Sequence, residues 1–253
     1  MKYNQLGKSD LQISALSFGS MRWQSEDECH RIIRRGMDLG MNYIDTSTGY
    51  VGGRSEQWSG RAVQARRDEI YFSSKTSYGR APGAAAIRRA IEGSLRRTGL
   101  EYLDFYQLWG LSSERMLKSA LARGGTVAGV RKAQAEGLIR HGIGFTFHGD
   151  ARTFKAAIDS GEFLCATVSY NLSKRTHEPL LDYAAAKGVG TMIMNPWVAA
   201  RWRPRAIPPK TLCGTAIVDR GGGRCAFCSP TRASPRHCWG SHAWKRWIRT
   251  CRR

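Results

Sequence analysis

Short apolar runs alternate along the chain with longer segments in which apolar residues recur every three or four positions. The runs lie at residues 15–20, 42–45, 70–75, 103–109, 140–145, 165–170 and 190–195. Their composition predicts strands that are buried on both faces of a sheet. The segments between them predict helices at residues 26–40, 54–67, 84–99, 125–137, 150–161 and 177–188, several of which end in glycine, the usual helix stop. Strands that alternate with helices predict an α/β protein with a parallel sheet.

The number and spacing of these units predict a barrel of parallel strands. Seven strand–helix units of about 25–30 residues fit a (β/α)8 TIM barrel, which needs roughly 250 residues for eight units. The barrel is predicted to be incomplete, because the eighth strand and the last helices are missing from the pattern. The opening KYNQLGKSDLQIS, with a turn at 7–10, predicts a β-hairpin that plugs the bottom of the barrel. A doubly wound sheet is the alternative, but no G-x-G-x-x-G motif follows the first strand.

Composition changes abruptly after Pro196. Residues 197–253 hold 13 of the 40 Lys and Arg residues but a single acid, Asp219, together with five of the seven cysteines and five of the eight tryptophans. A formal charge of +20 would ordinarily indicate a nucleic acid or an acidic partner, but +12 of it lies in this segment. We therefore divide the chain into a body, residues 1–196, and a basic tail, residues 197–253.

Two further observations bear on location and partners. The chain has no run of 18 or more apolar residues, and its opening MKYNQLGKSD lacks the apolar stretch of a signal peptide. We therefore expect a cytoplasmic protein without a membrane partner. Because the excess positive charge is concentrated in the tail, we expect no nucleic-acid partner. The pattern does not indicate whether the protein is a monomer or an oligomer.

Three polar residues stand at or just after the ends of two neighbouring predicted strands. Asp45 ends the second strand, Tyr50 lies in the following loop, and Lys75 ends the third strand. In a barrel of this kind the carboxyl ends of the strands carry the catalytic residues. A tyrosine, with a pKa of about 10 when free, can be a general acid if a nearby ammonium group lowers that value and a carboxylate keeps the ammonium charged. Spacing alone leaves an alternative open, in which Asp45 caps a loop, Tyr50 packs and Lys75 is solvated.

Seven stretches of the body resemble the aldo/keto reductase family in order and spacing. They are YNQLGKSDLQISALSFGSM, NYIDTSTGY, SEQWSGRA, IYFSSKT, YLDFYQLW, GLIRHGIGF and VSYNL. The resemblance covers residues 1–196. It implies a (β/α)8 barrel that reduces a small aldehyde or ketone with NADPH, NADH being possible. Tyr50 would be the proton donor, tuned by Lys75 and Asp45, for a carbonyl group that accepts a hydride.

The resemblance also implies what surrounds the reacting groups. Met21 and Trp109 would line the substrate pocket. The cofactor would be held by Gly19, Asp45, Thr146, Tyr170, Asn171 and Asn195. We expect no metal site.

Three positions depart from the family pattern. Trp109 stands where the fourth strand usually ends in a catalytic His, and an indole can donate one hydrogen bond but cannot serve as an acid or base at neutral pH. Thr146-Phe147 replaces the Ser-Asn pair that usually holds the nicotinamide carboxamide, and we interpret His148 beside it as a loop histidine. Thr167 replaces a Gln of the sixth strand. We interpret Trp109 as a residue that shapes the pocket of a divergent subfamily.

Three hypotheses account for the tail. The pair Cys225-x-x-Cys228 has the spacing of zinc ligands, and His237, Cys238 and His242 could complete a four-ligand site. Alternatively, arginines and tryptophans could bind nucleic acid through phosphate contacts and stacking. The third hypothesis is that the tail is translated out of frame, displaced by one base from an ancestral reading.

The single codon of tryptophan, which ends in G, tests the third hypothesis. The displaced frame must specify Gly after Trp239, Glu after Trp244 and Asp after Trp247, and from Cys225 onward it permits LRFLLSNPGVTTALLGFTRMEEVDQNLQA. This string resembles the family's eighth strand and phosphate-binding segment. At the boundary, residues 195–200 permit NPLGGG, which resembles the family's glycine-rich loop.

We therefore expect a disordered or irregular, out-of-frame tail rather than a domain. An unclosed barrel would expose the edges of its first and seventh strands, which predicts low solubility. Without the segment that would hold the 2′-phosphate and adenosine, we expect weak or absent NADPH binding. The alternative from another functional class is a non-catalytic barrel, with or without a tail that binds zinc or nucleic acid.

Overall fold

The chain is described by a computed structural model that covers residues 1–171 and 174–196 and the backbone of Gly214–Ile217. Apart from those four residues, the predictions for the tail, namely a zinc site, a nucleic-acid site or an irregular out-of-frame segment, lie outside the described residues. In the described part, no helix has the length and apolar character needed to cross a membrane. The cytoplasmic location stays a prediction.

An antiparallel hairpin lies at the amino-terminal end of the barrel. Strands β1 (Tyr3–Gln5) and β2 (Gln12–Ser14) form it, as the sequence predicts. Leu6 and Ile13 are fully buried, and they pack against apolar side chains inside the barrel. Gly7 has a φ of 59°, and a Cβ atom there would lie 2.4 Å from the backbone oxygen of Gly188. A glycine is therefore required where this hairpin meets the barrel.

Seven parallel strands form the body of the barrel, which confirms the predicted fold class. They are β3 (Leu16–Gly19), β4 (Tyr43–Asp45), β5 (Tyr71–Ser77), β6 (Leu103–Leu111), β7 (Ile139–Phe147), β8 (Cys165–Ser169) and β9 (Gly190–Met194). Neighbours in sequence are neighbours in the sheet. Each strand coincides with a predicted apolar run. The ends differ in detail, because β5, β6 and β7 each continue for two residues beyond the predicted run, so that β5 ends at Ser77 rather than at Lys75.

The eighth position of the barrel is filled in an unexpected way. Strand β10 (Gly214–Ile217) comes from the tail and pairs antiparallel with both β3 and β9. The barrel is therefore closed, and the expectation of two exposed strand edges was wrong. The prediction that the barrel lacks its parallel eighth strand is nevertheless confirmed, because the strand described at this position runs antiparallel. A short antiparallel segment supplies the missing backbone partners instead.

Within residues 1–171 and 174–196, seven α-helices surround the strands. They are α1 (Glu26–Asp38), α2 (Ser55–Val63), α3 (Ala84–Thr98), α4 (Glu114–Leu121), α5 (Thr126–Ala135), α6 (Ala151–Asp159) and α7 (Glu178–Ala186). Short 3-10 turns occur at Tyr50–Gly53, Gln64–Glu69 and Tyr78–Arg80. Six of the seven helices were predicted.

Helix α1 illustrates why these segments fold as they do. The Ser25 hydroxyl accepts a hydrogen bond from the Glu28 backbone N–H, which caps the helix start. Cys29, Ile33 and Met37 lie four residues apart, so they share one face of the helix and are buried against the barrel. This apolar stripe holds the helix against the outside of the sheet and leaves the carboxyl ends of the strands accessible from above.

Helix α4 was not predicted. Ser113 caps it by accepting a hydrogen bond from the Met116 backbone N–H, and Leu117 and Ala120 are its buried residues. Eight residues with two buried positions give too short an apolar period to stand out in a sequence. The capping serine was the signal that could have revealed it.

Candidate active site

Asp45 and Lys75 form a buried ion pair at the carboxyl end of the barrel. The Lys75 Nζ atom donates to Asp45 Oδ2 at 2.6 Å and to the backbone oxygen of Thr46 at 3.0 Å. The two side chains meet because Asp45 on β4 pairs with Ser73 on β5, and Lys75 follows Ser73 on the same face of β5. Burial by itself favours the neutral amine, but the charges and hydrogen bonds of Asp45 and Tyr50 outweigh it and raise the pKa of Lys75 above its ordinary value. Lys75 is therefore an ammonium group at neutral pH.

Tyr50 stands beside this ammonium group. The Lys75 Nζ atom lies 4.7 Å from the centroid of the Tyr50 ring. Tyr50 begins a tight turn in which Val51 has a φ of 54° and Gly52 a φ of 63°. A left-handed backbone at a β-branched residue costs about 1–3 kcal/mol, and strain of this kind clusters at functional sites. The turn directs the chain back into α2 and leaves the Tyr50 ring partly exposed.

Trp109 forms a wall next to Tyr50. The two ring centroids are 5.7 Å apart and the rings meet edge to face at 71°. Gly110, with a φ of 81°, bends the end of β6 just after Trp109, and its backbone N–H donates to Thr146 Oγ1 at 3.0 Å. The indole therefore occupies the place next to the tyrosine and offers one N–H group but no titratable nitrogen.

A buried polar network lies beneath the Asp45–Lys75 pair, and the sequence did not reveal it. Gln107 Nε2 donates to Asp45 Oδ1 at 3.0 Å and to Ser73 Oγ at 2.9 Å. Thr167 Oγ1 donates to Gln107 Oε1 at 2.7 Å. The available signal was the strand period of two, which places Gln107 and Trp109 on the same face of β6.

The residues assigned to the cofactor lie around the same end of the barrel. Gly19 ends β3 and pairs in register with Asp45, and Met21, 40% exposed, follows at the rim. Beyond β8, the Asn171 Nδ2 atom donates to the backbone oxygen of Asn195 at 3.3 Å, which ties the ends of β8 and β9 together. Asn195 has a φ of 56°.

Two more of these residues are buried. Tyr170 is 3% exposed, and its backbone N–H donates to the oxygen of Met194 at 3.3 Å. Thr146 is 1% exposed near the end of β7. The structure thus brings every residue proposed for the cofactor to one end of the barrel.

The hydrogen-bonding groups of Thr146 suit a nicotinamide ring. Its hydroxyl oxygen accepts from Gly110 N–H, and among the described residues no acceptor takes its own proton. A hydroxyl group has one proton to donate and two lone pairs, so Thr146 can still donate to a carboxamide oxygen. The nicotinamide end of the site therefore fits. The residues that would hold the adenosine end are expected beyond Pro196, outside the described residues.

Among the described residues, no cluster of three or more His, Cys, Asp or Glu side chains could hold a metal ion. Cys29 and Cys165, the two cysteines of the body, are buried free thiols. The zinc hypothesis concerns the tail alone. The site is therefore built from an ion pair, a tyrosine and neutral hydrogen-bonding groups.

Comparison with known proteins identifies the family. A sequence model of the aldo/keto reductase family matches residues 15–202. Among curated proteins, an uncharacterised oxidoreductase of Bacillus subtilis is 32% identical over 56% of this chain and 47% of its own length. The methylglyoxal reductase of Escherichia coli is 29% identical over 76% of this chain and 66% of its own length. The chain thus spans about half to two thirds of these relatives.

Solved structures agree with this assignment. The holo form of an aldo-keto reductase from Bacillus halodurans superimposes with a TM-score of 0.71 at 27% identity, over 82% of this chain and 70% of that one. An aldo/keto reductase from Klebsiella pneumoniae, in complex with NADP and acetate, gives a TM-score of 0.68 at 28% identity, over 80% of this chain and 71% of that one. With a family match over nearly three quarters of its length and the same barrel, the chain belongs to the aldo/keto reductase family.

Proposed function

We propose that this protein is an oxidoreductase that reduces a small aldehyde or ketone to an alcohol with NADPH, and that Tyr50 donates the proton. The observation that carries the proposal is the buried Asp45–Lys75 pair, with its 2.6 Å contact, set beside the ring of Tyr50. Relatives named methylglyoxal reductase and L-glyceraldehyde 3-phosphate reductase, both from Escherichia coli, support a small carbonyl substrate. NADH remains the alternative cofactor.

Proton donation and cofactor binding would fall to different side chains. Asp45 keeps Lys75 charged, and the ammonium group stabilises negative charge on the Tyr50 oxygen as its proton leaves. A bound nicotinamide would supply the hydride to the carbonyl carbon. Thr146, Tyr170 and Asn171 would hold that ring, while Gly19 and Asn195 would flank it.

Trp109 and Met21 are the residues that would limit the substrate. The indole lies 5.7 Å from the Tyr50 ring, so a carbonyl group that reaches Tyr50 must pass this wall. Because Trp109 can donate only one hydrogen bond, the substrate oxygen would be oriented by Tyr50 and the indole N–H. We therefore expect narrow, unbranched carbonyl compounds to be the better substrates.

A non-catalytic barrel is the second candidate function, and Trp109 is the observation that favours it. The indole replaces a histidine that the family pattern places there, and the tail replaces the usual eighth unit of the barrel. In this version the chain would retain the fold without measurable turnover.

Carbonyl reduction by single-residue variants separates the two candidates. Lys75→Met and Tyr50→Phe should each lower kcat for methylglyoxal reduction by about 10²–10⁴-fold, the usual contribution of a positioned acid. Lys118→Met, which removes an exposed lysine of α4, is the matched control and should leave kcat unchanged. NADPH consumption followed at 340 nm is the measurement. Full activity in Tyr50→Phe would exclude Tyr50 as the donor, and a wild-type chain without turnover would favour the non-catalytic barrel.

A further inference from the structure

Gln107 occupies an unusual place among the buried residues that the proposed reaction does not itself use. Its side chain is fully buried inside the barrel. Both protons of its amide nitrogen are donated, one to Asp45 Oδ1 and one to Ser73 Oγ. Its oxygen accepts from Thr167. One amide therefore links four strands, β4, β5, β6 and β8, directly below the ion pair.

The orientation of this amide is dictated by its neighbours. An ionised carboxylate can only accept hydrogen bonds, so the nitrogen of Gln107 must face Asp45. The oxygen must then face Thr167, whose hydroxyl can donate.

Gly144 on β7 has no side chain, and the Gln107 side chain occupies the space that one would fill. A Cβ atom at Gly144 would lie 2.9 Å from Gln107 Cγ and 2.8 Å from Cys165 Sγ. Real Cβ atoms essentially never approach so closely, so any larger residue would push Gln107 away from Asp45. A second strand thus constrains the same side chain through sterics alone.

The consequence concerns the Asp45 carboxylate. Lys75 holds one oxygen, Oδ2, and Gln107 holds the other, Oδ1. A carboxylate held through a single oxygen can rotate about its χ2 angle, which is a broad torsion. Held through both oxygens from two different strands, its plane is fixed, and so is the place of the Lys75 ammonium group relative to Tyr50.

We propose that Gln107 is a positioning residue that orients Asp45, and through Asp45 holds Lys75 against Tyr50, with Thr167 and Gly144 keeping Gln107 in place. The inference rests on the proposed function, because it needs Lys75 to act on Tyr50. Among the described contacts, Gln107 touches neither Tyr50 nor Trp109, so its effect must pass through the Asp45–Lys75 ion pair.

The ionisation of Tyr50 measures this role without any cofactor or substrate. Phenolate absorbance near 295 nm is measured as the pH is raised, for the full 253-residue chain and for its Tyr50→Phe variant. The difference between the two curves is the Tyr50 signal. The same pair of titrations is made in Gln107→Met, Thr167→Val and Lys75→Met backgrounds. Gln107→Met keeps the volume of the side chain but removes both amide donors.

Lys75→Met should shift the Tyr50 titration midpoint upward the most, because it removes the stabilising charge. Gln107→Met should shift the midpoint upward by part of that amount, and Thr167→Val by less. Tyr106→Phe is the matched control, since Tyr106 is the adjacent buried residue of β6 and contacts Ser94 rather than the network. It should leave the midpoint unchanged. Near-ultraviolet circular dichroism checks that each variant is folded.

The outcomes distinguish this inference from the proposed function. If Lys75→Met moves the midpoint and Gln107→Met does not, the positioning role is overturned while the Tyr50–Lys75 pair stands. If Lys75→Met has no effect, the proposed function itself fails. Should Gln107→Met not fold, Thr167→Val decides, and an unchanged midpoint in that variant overturns the inference.

Discussion

Burial strongly changes the pKa of the two cysteine thiols of the body. Cys29 and Cys165 are fully buried, and burial raises the pKa of each from an ordinary 9.0 to about 12. For Cys165 the negative charge of Asp45 adds to the effect of burial. Both thiols therefore stay protonated in the folded chain at pH values where an unfolded chain would begin to ionise.

This difference predicts a pH dependence of stability. Between about pH 9 and pH 12 the unfolded thiols lose protons that the folded thiols keep, so the free energy of unfolding falls as the pH rises through that window. At pH 8.5, iodoacetamide should modify neither Cys29 nor Cys165 in the native chain. Both should be modified in 8 M urea, which serves as the control. Peptide mass spectrometry locates the label, and rapid labelling of native Cys165 would contradict its placement inside the barrel.

At the same scale, the sequence predicted that Asp45, Tyr50 and Lys75 lie together but not which residues hold them there. Asp45, Tyr50 and Lys75 were found because the ends of parallel strands meet at one edge. Gln107 was missed because its partners lie on three other strands, and the heights of those strands follow from the barrel's stagger. A sequence pattern shows which face a side chain occupies but not which atom on another strand it meets.

Between elements, a buried carboxylate joins α2, α3 and β5. Glu56 on α2 is fully buried, and it accepts a hydrogen bond from Ser74 Oγ at 2.5 Å and one from Arg97 Nε at 2.5 Å. The Arg97 side chain is 38% exposed, so water reaches one partner but not the other. Such a carboxylate is stable inside the protein only while both donors remain.

Arg97→Met should therefore destabilise the barrel. Breaking a buried pair from one side costs about 3–5 kcal/mol, and because Arg97 is partly exposed, the expected loss is about 2–3 kcal/mol. Urea unfolding followed by circular dichroism gives the free energy of unfolding. The double variant Glu56→Gln with Arg97→Met should recover part of the loss, since a neutral amide needs no counter-charge. Equal losses in the single and double variants would show that Arg97 acts by packing alone.

The order of elements was largely predictable, and the exceptions have physical reasons. All seven parallel strands were predicted because strands buried on both faces give continuous apolar runs. Helix α4 was missed because eight residues carry only two buried positions. Strand β10 was missed because it lies in a segment whose composition gave no strand pattern, and its place depends on two open edges far away in sequence.

For the whole molecule, closure by β10 removes the expected exposed strand edges but does not supply the parallel eighth strand of the family barrel. Both edges that would have invited aggregation are paired, so that reason for low solubility no longer applies. The family barrel, however, closes with a parallel strand, whereas β10 runs antiparallel. A strand that fills the eighth position in the opposite direction cannot present its carboxyl end at the active-site edge.

By composition the chain divides into a body, residues 1–196, and a basic tail, residues 197–253, and the origin of this tail can be tested. We propose that the gene carries a one-base displacement near the Pro196 codon, and that the displaced frame encodes a glycine-rich loop, an eighth parallel strand and a phosphate-binding segment. Nucleotide sequencing tests this directly. If neither alternative frame encodes a long reductase-like segment, the tail is a genuine appendage and the hypothesis fails.

NADPH binding then tests whether the tail lowers the affinity of the protein for its cofactor. NADPH is titrated by its fluorescence into the 253-residue chain and into a version with the frame restored. Backbone amides and basic side chains at the eighth unit would bind the phosphates, so the restored chain should bind at least tenfold more tightly, about 1.4 kcal/mol. The Lys118→Met variant of the restored chain is the control for a change in surface charge alone. Equal affinities would mean that the nicotinamide end, built around Thr146 and Asn171, carries the binding and that β10 replaces the missing strand without loss.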